Sequence, residues 1–344
     1  MISEHRNNSI FAIKPEKQMA KVLGMGNALV DIITIIENEN VLQSFGLPKG
    51  SMTLVDLDTS NYIHAETMGM PKSKASGGSA ANTIHGLAHL GVETGFVGTV
   101  GNDEMGRFFK KDMQVNKIKP ILFRTLHETG RAMALITADT ERTFATYLGA
   151  AIDLSADDIT HDIFDEYDYL YIEGYLVQNR EMISKAMRLA SSKGLKICLD
   201  MASYNVVEEN RDFFMSLIEQ YVDILFANVE EIRALVEKPP EEAAGEIRDL
   251  VEIVVVKMGA EGSFCMCKEG MVRIGVRPSV PVDTTGAGDL YAAGFIYGHM
   301  QGLHPEICGK MGAILAGRII ELTGAKMDEA NWEKLRREIR ALTD

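Results

Sequence analysis

Cysteine is scarce in this 344-residue chain: Cys198, Cys265, Cys267 and Cys308 are the full set. None belongs to a paired CxxC motif, so a zinc site of that kind is not indicated. Cys265 and Cys267 stand two apart in an apolar run, so in a strand they share a face and do not bridge. Reduced thiols and a cytoplasmic location are the expectation. The eight histidines show no HExxH spacing, which argues against a histidine-based metal site. Long apolar runs are also missing. No segment approaches the ~20 residues that a membrane-spanning helix needs. The N-terminal stretch has no apolar signal-peptide core either, so residues 1–19 read as a tail, with Met19 as an alternative start to Met1. Positive charge is in deficit. Thirty-five Lys and Arg against 49 Asp and Glu give a net charge of -14 and a pI near 5.1. No basic stripe is present, so neither nucleic acid nor membrane is expected as a partner. Acidity of this kind favours solubility. It also means that an anionic ligand must be held by local devices: helix N-termini, backbone amides or a metal.

The composition is that of an ordinary globular protein, 46% hydrophobic and 24% charged. From Tyr167 the chain alternates strand and helix: YDYLYIEGYL, then REMISKAMRLASSKG; LKICLD, then RDFFMSLIEQY; VDILFAN, then VEEIRALVE; then VEIVVVKMG. That rhythm predicts a mostly parallel sheet covered on both faces. Ligands of such sheets bind at the carboxyl ends of the strands. Upstream, IITIIE and SMTLVD, separated by Leu47-Pro48-Lys49-Gly50, predict a local antiparallel excursion. ILFRTL and RAMALIT are expected to complete that small sheet. The resulting small β layer is placed at about residues 32–56 and 117–138 of a domain covering 20–344.

The strongest chemical signal is DTTGAGDLYAAGFIYG, residues 283–298. Strand-like residues precede it and a small-residue apolar helix follows. Gly286, Ala287 and Gly288 stand at the join, and Asp289 opens the helix. Converging backbone amides and a helix N-terminus form an anion trap suited to a transferring phosphoryl group. A carboxylate there can take a proton from an attacking hydroxyl. The plain structural reading is a tight turn with a first-turn carboxylate, and a bare GxG would justify no more. No Walker A string exists, since Gly309-Lys310 is followed by Met311. The dinucleotide spacing GxGxxG and the protein-kinase motifs are absent as well.

The full string closely resembles the second signature of the ribokinase-like (PfkB) family, which includes ribokinase, fructokinases and adenosine kinase. Further elements resemble that family in the expected order: GGSAAN at 77–82, GFVGTVGNDEMG at 95–106, Asn228-Val229-Glu230-Glu231, and VVVKMGAEGSF at 254–264. The resemblance implies a three-layer α/β, Rossmann-like domain with a small β lid. It implies ATP and Mg2+ as cofactors, with a monovalent cation such as K+ as a further candidate. It implies Asp289 as the catalytic base and the turn from Gly286 to Gly288 as the phosphoryl cradle. Asn228, Lys257, Gly259, Gly262 and Thr285 fall on the nucleotide side. Asn228 and Glu231 match the N-x-x-E pair that helps hold magnesium, largely through water. The same two residues also spell a helix capping box, and both roles are expected.

For the acceptor, Asn27-Ala28-Leu29-Val30-Asp31 has the Asn-x-x-x-Asp spacing of adenosine kinase and related nucleoside kinases, although Ala28 stands where a proline is often found. LPKGSMTLVD resembles the lid segment of the same group. The resemblance implies that Asp31 and Asn82 hold a vicinal diol, with Asn27, Gly78, Ser79 and Glu173 around it. A buried structural glutamate is an equal reading of Glu173. Arg131 and Arg142 flank the lid-like strands, where reach to a transferring phosphate is one reading and solvated arginine the commoner outcome. Phe144 and Tyr147 are expected in core packing more than in base stacking. The expected activity is phosphorylation of a ribonucleoside 5′-hydroxyl. A sugar kinase acting on ribose or fructose is the alternative, and a non-catalytic ligand-binding protein on the same scaffold a further one. A monomer or homodimer is expected.

Overall fold

The computed structural model describes residues 19–36, 38–137 and 141–343. Of the expected tail over 1–19, residues 1–18 lie outside the described residues, as do positions 37 and 138 of the expected small layer. In chain order the strands are β1 (Val22–Met25), β2 (Leu29–Ile35), β3 (Met52–Leu54), β4 (Lys72–Gly77), β5 (Thr94–Gly101), β6 (Ile118–Thr125) and β7 (Gly130–Ile136). They continue as β8 (Arg142–Tyr147), β9 (Tyr169–Glu173), β10 (Lys196–Asp200), β11 (Ile224–Asn228), β12 (Ile253–Lys257), β13 (Ser263–Cys267) and β14 (Gly270–Ile274).

Nine strands form one sheet in the order β14-β13-β12-β11-β10-β9-β1-β5-β6. From β12 to β6 every pairing is parallel, and β13 and β14 close the other edge as an antiparallel pair. The central strands bury both faces. Alternate residues of β9 point to opposite layers, Tyr169 and Tyr171 into one apolar core, Leu170 and Ile172 into the other. This is the three-layer α/β arrangement of the ribokinase-like fold. The first core is closed by helices Ser79–His89, Ala287–Met300 and Pro305–Ile319, the second by Arg180–Ser192, Tyr204–Tyr221 and Val229–Val236. Glycine lets two of the first group approach closely. A Cβ on Gly294 would lie 2.6 Å from the Met311 carbonyl, and one on Gly312 2.7 Å from that of Tyr291. The four cysteines are buried free thiols. No helix among the described residues is long and apolar enough to cross a membrane.

Five strands form a second sheet, β3-β8-β7-β2-β4. Its membership differs from the expectation in three ways. Ile118–Thr125 pairs in parallel with β5 at the edge of the large sheet, so only the later part of 117–138 belongs to the small one. The antiparallel neighbour of β2 is β4, not the 51–56 segment, which pairs with β8. Finally, β4 and β8 are strands that the sequence reading did not assign. The physical reason for the first is the helix Glu104–Val115 between β5 and β6, which makes a strand-helix-strand crossover and so a parallel neighbour.

Candidate active site

The carboxyl ends of the parallel strands converge on one cavity of about 860 Å3. Asp200 ends β10, Asn228 ends β11 and Lys257 ends β12, and all three line it. The small sheet contributes Leu29, Asp31, Ala132 and Phe144 to the wall. Ala313, Ala316, Gly317 and Ile320, with the Val276–Pro281 segment, form another part of it.

Asp289 stands in the first turn of helix Ala287–Met300, where these two groups of elements meet. Ser79 Oγ donates to Asp289 Oδ1 at 2.7 Å, and Asn82 Nδ2 donates to Oδ2 at 3.0 Å. Thr83 Oγ1 donates to the Asp289 carbonyl at 3.1 Å, which fastens the helix start to helix Ser79–His89. Burial raises the Asp289 carboxyl to about 6, against the pull of the Ser79 and Asn82 bonds. Such a group is ionised at neutral pH yet basic enough to accept a proton.

The turn before it is braced from two sides. Asp283 Oδ1 accepts from Thr285 N (3.0 Å) and Thr285 Oγ1 (2.8 Å); Oδ2 accepts from Gly324 N (2.7 Å). Arg142, from the small sheet, closes an ion pair to Asp283 Oδ2 at 2.6 Å and donates to Thr285 Oγ1 at 3.1 Å. Arg142 is therefore a strut between the small sheet and the anion turn, and not a solvated arginine. Gly286 has a left-handed backbone with φ 77°, and a Cβ there would lie 2.7 Å from that of Ala325. It shapes the turn from behind and does not line the cavity. Thr285, Ala287 and Gly288 do line it. Gly288 is not left-handed. A Cβ on it would meet Lys257 Nζ at 3.2 Å, so glycine there leaves room beside an ammonium.

Lys257 Nζ donates to Asp200 Oδ2 at 2.9 Å. Burial opposes its charge, but the Asp200 and Glu231 carboxylates outweigh that and hold its pKa above the ordinary value. Asp200, 4% exposed, also accepts from Tyr171 OH at 3.2 Å. Sequence reasoning did not single out Asp200, although its place at the end of LKICLD is the signal that marks such residues. Ala202, two residues on, holds φ 70° in the cavity wall. A left-handed non-glycine residue is a strained conformation of the kind found at functional sites.

Asn228 and Glu231 form the full capping box. Glu231 Oε2 accepts from Asn228 N (2.8 Å) and Oε1 from Asn228 Nδ2 (2.7 Å), while Asn228 Oδ1 accepts from the amides of Glu230 and Glu231. Glu231 is 4% exposed, and burial raises its carboxyl. Each of its oxygens accepts one hydrogen bond and keeps lone-pair capacity for a water. That donor set fits a hard cation held through its own waters, as magnesium prefers. Gly259 (φ 58°) and Gly262 (φ 89°) shape the turn between β12 and β13 and reach the cavity wall.

On the acceptor side, Asp31, Gly78, Ser79 and Asn82 line the cavity. Burial raises Asp31 to about 6. Asn82 Oδ1 is buried without a hydrogen-bond partner, a free acceptor beside the catalytic candidate. Asn27 and Glu173, expected as substrate contacts, are not among the cavity-lining residues. Glu173, 1% exposed, accepts from Asn27 N (2.9 Å) and Ala80 N (2.8 Å). It thereby caps helix Ser79–His89, whose N-cap residue, Gly78, has no side chain to do so. Burial still raises Glu173 to about 7. Arg131 is 5% exposed and bound to Ser60 Oγ and Glu128, over the ring of Tyr147. Both Arg131 and Tyr147 are structural. Phe144 lines the cavity, and Tyr175 joins it there.

A buried carboxylate at a glycine-shaped turn, on a ribokinase-like fold, is an arrangement suited to a kinase with an alcohol acceptor. Comparison with known proteins agrees. Residues 54–331 match the pfkB family carbohydrate kinase, and the chain belongs to that family. It is similar in structure to an adenosine kinase from Sinorhizobium meliloti, with a TM-score of 0.83 and 33% identity over 93% of this chain and 99% of that one. A probable sugar kinase from Rhizobium etli CFN 42 gives 0.84 and 32% over 94% and 99%. A 5-dehydro-2-deoxygluconokinase from Halalkalibacterium halodurans is 29% identical over 284 residues, 77% of this chain and 86% of that protein. The enzyme is a phosphotransferase of the sugar and nucleoside kinases, a class that uses ATP and a divalent metal.

Proposed function

We propose that this kinase phosphorylates the 5′-hydroxyl of a ribonucleoside, adenosine first among them. The observation that carries the chemistry is Asp289, held by Ser79 and Asn82 at the anion turn with its carboxyl near 6. Asp289 takes the proton of the attacking hydroxyl. The new bond joins that oxygen to the γ-phosphorus of ATP, the bond to the β-phosphate oxygen breaks, and ADP leaves. The N-terminal turn of helix Ala287–Met300 meets the phosphoryl group, and Lys257, beside Gly288, adds positive charge. Asn228 and Glu231 would hold magnesium through water, which neutralises charge on the polyphosphate when bound. The small sheet, tied to the turn by Arg142, excludes water from the acceptor.

Charge supports a neutral acceptor. Asp31 and Asp289 flank the acceptor side, Arg142 is paired with Asp283, and Arg131 is tied up away from the cavity. A sugar acid, the acceptor named for the Halalkalibacterium relative, would bring its carboxylate to carboxylates. Asp31 and Asn82 suit a vicinal diol, and Leu29, Ala132, Phe144 and Tyr175 give a base apolar surface.

A site built to bond a hydroxyl leaves polar groups unpaired when the hydroxyl is missing. A 2′-deoxyribonucleoside is therefore expected to lose about 1–3 kcal/mol in kcat/KM relative to its ribo counterpart. Asp31→Ala should erase most of that difference. Equal kcat/KM for the ribo and deoxy forms in the wild type removes Asp31 as the diol clamp.

A further inference from the structure

Lys326 is a buried charge that the mechanism above does not use. It lies on the Gly324–Met327 segment, which is clamped against the anion turn. Gly324 N donates to Asp283 Oδ2 at 2.7 Å, and Ala325 packs under Gly286. On its other side the segment meets the small sheet, where a Cβ on Gly324 would lie 2.8 Å from Ile33 Cδ1. Ile33 and Asp31 point to the same face of β2. The Lys326 ammonium is shielded from solvent and has no hydrogen-bond partner among the described residues. It does not line the cavity. An unpaired buried ammonium is costly and persists where it serves a function.

We propose that Lys326 is a positioning residue for the acceptor site, its ammonium holding Asp31 as the carboxylate that grips the acceptor diol. This inference rests on the diol-clamp reading. The groups in electrostatic reach of Lys326 are Asp31 on β2, Asp112 on helix Glu104–Val115, and Asp289 on helix Ala287–Met300. His85 and His89 on helix Ser79–His89 also feel its charge, and Arg142 adds a second cation near Asp31. Asp31 stands nearest the limit of its function. Burial pushes it up to about 6, and Lys326 is the first of the charges that pull it back. Burial lowers Lys326 itself to about 8, so it is still charged where Asp31 titrates. The sign follows. Without Lys326 the Asp31 carboxyl binds its proton at higher pH, and a protonated carboxyl cannot accept both diol hydrogens.

The test is Lys326→Met, with Lys326→Arg as the conservative control, assayed as full-length enzyme with adenosine and ATP across pH 5 to 9. The acid limb of kcat/KM for adenosine should move up by about one pH unit in the Met variant, a roughly tenfold loss on that limb. The Arg variant should restore it. The acid limb of kcat, which reports the bound complex and hence Asp289, should stay in place, as should KM for ATP. Thermal stability should be equal or higher, because an unpaired buried ammonium has been removed. A loss of stability with an unmoved acid limb would make Lys326 merely structural. An acid limb of kcat that moves in step would assign it to Asp289 instead of Asp31. If the wild type phosphorylates no diol-bearing acceptor, the acceptor reading itself has failed, a result separate from either of these.

Discussion

Asp289→Asn is expected to lower kcat by about 10²- to 10⁴-fold, the range for removing a general base. Its KM for ATP should hold, because the turn amides and Lys257 remain. The fold should hold too. The carboxyl of Asp289 is raised from an ordinary 3.8 to about 6, so ionising it between those pH values weakens the folded state. Asparagine does not ionise and escapes that cost. It keeps one acceptor oxygen for two donors, Ser79 Oγ and Asn82 Nδ2, and so loses about 1 kcal/mol from an unmade bond. The two effects oppose, and the melting temperature should change little. In the wild type, kcat should fall as pH drops below about 6, where Asp289 takes up its proton. Steady-state kinetics over pH on the two proteins checks both statements. Near-normal turnover in the Asn variant would end the base assignment.

Arg142→Met should cost stability as well as rate. Arg142 and Asp283 form a buried pair, with side chains 10% and 3% exposed. Removing one partner of such a pair leaves an uncompensated charge, at a cost of about 3–5 kcal/mol. Asp283 would keep the Thr285 and Gly324 bonds but lose its only ion pair among the described residues. The small sheet would lose its strut to the anion turn, so turnover should fall even where the protein remains folded. Urea unfolding followed by assay at low temperature separates the two effects. A variant within about 1 kcal/mol of wild type would show that the pair does not brace the turn.

Much of this site was legible in the sequence because it is local. The residues from Asp283 to Asp289 sit on one turn, and Asn228 to Glu231 on another. Local chemistry also dictates the capping box and the positive φ of Gly259 and Gly262. What depends on distant partners was not legible. Glu173 ends a strand at the right depth, but two backbone amides from elsewhere in the chain turn it from the cavity into a helix cap. Arg142 meets Asp283 only when the small sheet docks. Lys326 stands in an unremarkable GAKM string, and its isolation exists only in three dimensions. The misplaced strand is different, because its signal was present. Ile118–Thr125 follows β5 through a helix, and a strand-helix-strand unit predicts a parallel neighbour in the same sheet. The short polar link to the next strand suggested a hairpin instead. Asp200, too, could have been found, as the last residue of a central parallel strand.

The most direct test of the acceptor reading is an ATP-consumption screen of the purified enzyme against ribonucleosides, ribose, fructose and 5-dehydro-2-deoxygluconate, with each product identified by mass. Adenosine should give the highest kcat/KM and yield its monophosphate, 2′-deoxyadenosine should trail it, and the sugar acid should be the poorest acceptor. Faster phosphorylation of ribose, fructose or the sugar acid than of any nucleoside would contradict the nucleoside assignment and place the enzyme among the sugar kinases of its family.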